Sequence, residues 1–203
     1  VYKHWLNASL YYVFKNKDFT SENYRDYLLN LAQSFFLDRY IPKVEPLDYF
    51  DIIYKNHGIS QNKEKGDFNL NKLDRGTEVE NFVFNYLDFI LWLKKYDGAS
   101  NFEFTFRSSV EHYYPQNPIS KEHKIEKSIY DLFGNLCLIS SSKNSRLSNH
   151  MPEAKKDYYD RVGADSLKQQ EMMSKKYVKW DEEEIRLHGE EMKTLLKEFN
   201  AII

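Results

Sequence analysis

Three short stretches carry the residue types that do chemistry: Glu111-His112-Tyr113-Tyr114-Pro115-Gln116, Gly134-Asn135-Leu136-Cys137-Leu138 and Asn144-Ser145-Arg146-Leu147-Ser148-Asn149. A carboxylate and an imidazole stand side by side, and two amide side chains, Asn135 and Asn144, follow. Hydrolysis of a phosphodiester needs a base for water, a cation for the charge on the phosphate and leaving oxygen, and rigid placement. His112 suits the base, because an imidazole titrates near neutrality. The Glu111 carboxylate and the Asn144 amide oxygen are hard ligands of the kind Mg²⁺ takes together with waters. Asn135 could hold the His112 ring in its working tautomer, a task that falls to a hydrogen-bonding neighbour. Together the set reads as a one-metal phosphodiesterase. Taken singly, each residue has an ordinary reading: a solvated Glu-His pair, turn chemistry at Asn135, helix caps at Asn144 and Asn149. Asn149 stands as an alternative metal ligand or structural residue.

The elements that must position these residues are mostly helical. Trp5, Leu6, Leu10, Val13 and Phe14 recur at helical spacing. A second helix follows Thr20-Ser21-Glu22, carries Leu28, Leu31 and Phe35, and stops at Pro42. A shorter helix is expected from Leu47 to Tyr54. Residues 57–78 are polar and aperiodic and read as a long mobile connection. Residues 79–96 are apolar almost all round, so that helix should be buried on most sides.

Phe102, Phe104 and Phe106 alternate with polar residues, which predicts a strand, and a second strand should run from Val110 to Tyr114. Lys121 to Phe133 reads as helix, Leu136 to Ile139 as a short strand, and Asn144 to Asn149 as one or two helical turns. Pro152 opens the next helix, and Asp181 caps the last, whose stripe is Ile185, Met192, Leu195, Leu196 and Phe199. The aromatic stripes of residues 1–54 and 79–96 are expected in the core rather than as base-stacking platforms. His150, His4, His57, His123 and His188 read as surface or packing residues.

Bulk properties narrow the function classes. The net charge of −2 argues against a protein that coats nucleic acid through bulk charge. No apolar run has the length of a membrane span, and the first helix does not look like a signal peptide. The single Cys137 excludes an internal disulfide and a Cys-rich zinc site, and fits a reducing, cytoplasmic setting. The chain opens on Val1 and reads as a piece of a longer polypeptide.

Glu-His-x-x-Pro, Gly-Asn-Leu-x-Leu and Asn-x-x-x-Ser-Asn, followed by Lys155-Lys156, resemble the C-terminal nuclease domain of GmrSD-type modification-dependent restriction enzymes, a member of the HNH, or His-Me finger, superfamily. Trp180 and Ile185-Arg186 resemble that family's closing helix. The resemblance implies an α+β, mostly helical fold with a ββα-metal finger embedded in a helical domain. Residues 1–98 would be a helical segment, the end of an upstream recognition region or a linker bundle, and residues 99–203 the nuclease domain.

It also implies metal-dependent cleavage of foreign or modified DNA in bacterial defence. His112 would be the general base, Glu111 and Asn144 the metal ligands and Asn135 the orienting residue. Asn rather than His at the final ligand position favours Mg²⁺ or Mn²⁺. An NTP would enter only through an upstream recognition domain of the same polypeptide, which this chain lacks. Lys155, Lys156 and Arg146 could contact DNA phosphates; their ordinary reading is a solvated face. Two alternatives stay open: a nucleic-acid-binding or regulatory module that keeps the fold without turnover, and an RNA-cleaving nuclease.

Overall fold

Thr20 caps the second helix of the N-terminal part. Its hydroxyl accepts from the Asn23 amide at 3.1 Å while the Asn23 side chain accepts from the Thr20 amide at 3.2 Å, a reciprocal cap. The structure is a computed structural model that describes residues 2–62, 68–96, 99–147, 149–174 and 176–202; of these, the side chains of 2, 121, 144–146 and 200–202 lie outside the description. The chain divides into two compact units, Val1–Lys72 with Asn200–Ile203, and Leu73–Phe199.

In the first unit α1 (Tyr2–Lys15) and α2 (Ser21–Ser34) are followed by a π-helical turn, Phe35–Tyr40, and a second one at Asp51–Lys55. Leu31, Phe35, Phe36, Leu37, Ile52 and Ile53 are buried. The α1 stripe behaves differently from the core reading, because Leu6, Leu10, Val13 and Phe14 are exposed while Ala8 faces inward. The polar connection after residue 57 is also anchored rather than loose. Buried Asp38 accepts from the Ser60 hydroxyl at 2.9 Å and the Gln61 and Asn62 amides at 3.0 Å. Phe68 bridges to Pro42. Short polar side chains and backbone amides satisfy a buried carboxylate here, so residues 60–62 are held without any apolar periodicity. Residues 63–67 of this connection lie outside the described residues.

The second unit begins at Leu73, and so includes α3 (Asn81–Leu93), which the sequence grouped with the N-terminal helices. Val83, Phe84, Leu87, Ile90 and Leu91 bury its apolar face, and Asp88 lies fully buried among them. Asp88 pairs with Arg107, whose guanidinium also donates to the Asn85 amide oxygen at 2.8 Å and the Asp165 carbonyl at 3.0 Å. This pair explains why no strand forms over residues 102–107. Arg107 is the buried member of the stretch, whereas Phe104 and Phe106 are exposed, so the expected alternation is inverted around a charge that needs its partners.

One hairpin carries the site. β1 (Ser109–His112) pairs antiparallel with β2 (Leu136–Ile139), with Glu111 opposite Cys137 and His112 opposite Leu136. Between the strands, the expected helix is broken into a 3-10 turn at Lys121–His123, one turn of α4 (Lys127–Tyr130) and a 3-10 turn at Phe133–Asn135. After β2 come α5 (Ser141–Leu147), which packs on β1, then α6 (Pro152–Val162), α7 (Leu167–Met172) and α8 (Glu182–Ile202). Gly134 lets α8 close over this turn. A Cβ there would stand 1.8 Å from the Ile185 carbonyl oxygen and 2.7 Å from the Gly189 nitrogen, so no side chain fits. The result is a mostly helical α+β domain with one two-stranded sheet.

Under that turn, Lys168 is enclosed, and its ammonium donates to the Phe133 carbonyl at 2.8 Å. Burial pushes its pKa down to about 7. Between about pH 7 and the ordinary lysine range, the unfolded chain therefore holds a proton that the folded chain has shed, and stability rises with pH. The denaturation midpoint of the wild type is expected to climb from about pH 7 to about pH 9 relative to that of Lys168→Met. Parallel profiles for the two proteins would contradict this account of Lys168.

Candidate active site

The end of β1 presents Glu111 and His112 to two different partners, as alternation along a strand requires. Glu111, 9 % exposed, accepts from the Lys155 ammonium at 2.7 Å. Burial raises its carboxyl pKa above the ordinary value, and Lys155 offsets only part of that. Lys155 stands on α6, is 1 % exposed, and donates a second hydrogen bond to the His112 carbonyl at 2.6 Å. It therefore joins a side chain and a backbone group of consecutive strand residues.

The His112 ring faces Asp131, at the end of α4, with Nε2 2.8 Å from Oδ1. Tyr130 packs against the imidazole edge-on, with centroids 5.5 Å apart. Burial lowers the His112 pKa; Asp131 opposes the shift without cancelling it. The imidazole is thus neutral near physiological pH, the form in which it can accept a proton.

Asn135 does not touch this ring. Its side-chain oxygen accepts from the Tyr114 amide at 2.7 Å and the Trp180 indole at 3.2 Å. Its nitrogen donates to the carbonyls of Tyr114 and Tyr130, both at 2.9 Å. Every hydrogen-bonding position of the amide is used to tie the loop after β1 to the turn before β2 and to Trp180. The residue facing His112 is Asp131, which sequence reasoning missed. Asn135→Ala would strand two donors and two carbonyls and is expected to cost about 2–3 kcal/mol. Urea denaturation measures this, and an unchanged midpoint would contradict it.

The remaining candidates separate by accessibility. Lys155 is removed from the set that could meet DNA, because its ammonium is enclosed by Glu111 and the His112 carbonyl. Lys156 stays on the outer face of α6, paired with Asp160 at 2.7 Å. Asn144 and Arg146 lie on α5, directly after β2, and their side chains are outside the described residues. Asn149 is exposed in the turn that follows. Among the described residues no three His, Cys, Asp or Glu side chains gather as a metal cluster. Cys137 is fully buried, and burial pushes its thiol up to about 12. Of the other histidines, His188 is also fully buried. Its Nδ1 lies 3.2 Å from the Tyr177 hydroxyl, and its Nε2 is without a hydrogen-bond partner.

A two-stranded hairpin followed directly by a helix, with an acid–imidazole pair at the end of its first strand, defines a small ββα unit inside a helical α+β domain. The family model described as "GmrSD restriction endonucleases, C-terminal domain" matches residues 59–195, and the chain belongs to that family. The matched span holds every candidate site residue together with Asp131. Comparison with the curated proteins and with the solved structures yields no match. No helix among the described residues is long and apolar enough to cross a membrane.

Proposed function

We propose that this chain is the cutting module of a restriction enzyme, a metal-dependent endonuclease of the HNH type that hydrolyses phosphodiester bonds in foreign or modified DNA. The observation that supports the reading best is the buried imidazole of His112, held with Nε2 2.8 Å from the Asp131 carboxylate within the span matched by the family. His112 takes the proton of the attacking water. Glu111 and Asn144 would hold Mg²⁺ or Mn²⁺, a pair of oxygen donors that suits a hard cation. When bound, that cation supplies charge stabilisation at the phosphate. Lys156 and Arg146 are the cations proposed to meet flanking phosphates. Target choice belongs to an upstream NTP-dependent domain of a longer polypeptide, and the setting is cytoplasmic.

A second reading has its own support. Lys155 already neutralises one oxygen of Glu111, as it would in a binding module that keeps the fold without turnover. Calorimetric titration with Mn²⁺ separates the two. The nuclease reading expects heat of binding in the wild type that is weakened in Glu111→Gln and in Asn144→Ala. Identical isotherms for all three proteins would overturn the ligand assignment.

A further inference from the structure

We infer that Asp131 is the positioning residue of the His112 imidazole, and that the Gly76 backbone forms the seat that aims its carboxylate; this rests on His112 being the base. Both carboxylate oxygens are committed. Oδ1 meets His112 Nε2 at 2.8 Å, and Oδ2 pairs with Lys127. Lys127 is exposed, so its pair with Asp131 alone would be weakly held. The carboxylate side chain is only 14 % exposed, and the ring it faces is 7 % exposed. An ionised carboxylate accepts only, so the neutral imidazole must carry its one proton on Nε2. The lone pair then resides on Nδ1, and that atom takes the proton from water. The opposite tautomer would set a lone pair against a negative oxygen.

The seat lies 55 residues upstream, outside the hairpin. Gly76 is buried at φ +57°, where L side chains are strained. Its amide donates to the Asp131 carbonyl at 3.0 Å, and a Cβ on it would stand 2.5 Å from Asp131 Oδ1 and 2.7 Å from Cγ. The same loop is fixed two residues earlier. Asp74 accepts from the Phe133 amide at 2.9 Å and from Lys193 at 2.7 Å. The loop therefore grips both sides of the 131–133 turn, and the glycine leaves room for the carboxylate to reach His112. Any side chain at position 76 would have to displace the oxygen that holds the ring.

Nitrogen-15 spectra of the histidine rings test this directly, with the His112 signals assigned from a His112→Gln sample. Above about pH 8, where free imidazole is neutral, the wild type is expected to show the Nε2-protonated form alone. Asp131→Ala and Gly76→Ala should shift His112 toward a mixture of tautomers and lower kcat roughly 10- to 100-fold with KM little changed. Asp131→Asn keeps an acceptor oxygen at the same place and should recover most of the spectrum and the rate. Should Gly76→Ala fail to fold, the two Asp131 variants decide. An Nδ1-protonated ring in the wild type, or unchanged spectra or rates in Asp131→Ala, overturns the inference. A ring held as described in a chain that cleaves no DNA would instead count against the nuclease reading, so the two failures are distinct.

Discussion

Replacing His112 by alanine is expected to slow plasmid nicking about 10²- to 10⁴-fold, the usual contribution of a positioned general base. The fold should survive. The ring packs edge-on against Tyr130 and meets Asp131, and neither contact belongs to the strand pairing that holds β1 to β2. Truncation leaves an imidazole-shaped space beside the Asp131 carboxylate. Added imidazole should therefore restore part of the rate in this variant and none in the wild type. The measurement is the initial rate of supercoiled-to-nicked conversion at fixed Mg²⁺, with thermal melting of both proteins as the folding control. A variant that keeps its melting temperature and loses its rate places the defect in the chemistry.

The second large effect is on stability. Lys155→Met should cost about 3–5 kcal/mol, because it leaves the Glu111 carboxylate buried with its salt bridge to Lys155 removed. For a chain of this size the melting temperature would fall on the order of 10 °C. The His112 carbonyl loses its donor in the same step. Pairing the change with Glu111→Gln should return much of the loss, since a neutral amide is far less costly to bury than a lone carboxylate. A Lys155→Met variant that melts with the wild type would contradict the burial of the pair. A double variant no better than the single would mean that packing of the lysine stem, not charge, sets the cost.

The hairpin and its flanking helices were legible because local patterns dictate them: Gly134-Asn135 before an apolar run, Pro152 at a helix start, apolar periodicity in α8. Residue type also brought Glu111 and His112 forward as a pair. What could not be read was the partner of each. Asp131 follows a helical turn in a stretch that looks like an ordinary charged surface, and only the folded hairpin carries it to His112. Lys155 and Lys156 are indistinguishable in sequence, yet one is enclosed on Glu111 and the other is exposed, because neighbouring helical residues face different ways. Arg107 misled for a related reason. A charge standing between aromatic residues reads as the solvent face of a strand, and a buried counter-charge at Asp88, 19 residues earlier, reverses that reading. Asn135 was singled out as the residue that orients His112, but its four hydrogen bonds reach Tyr114, Tyr130 and Trp180 rather than the ring.

The proposed reaction is metal-dependent cleavage of DNA that uses His112. The most direct test is conversion of supercoiled plasmid to the nicked form by the wild type and His112→Ala, each with Mg²⁺, with Mn²⁺ and with a chelator. Conversion is expected by the wild type with either metal, none with the chelator, and a loss of at least about 100-fold in the variant. Equal rates in the two proteins, or conversion that persists in the chelator, would contradict it.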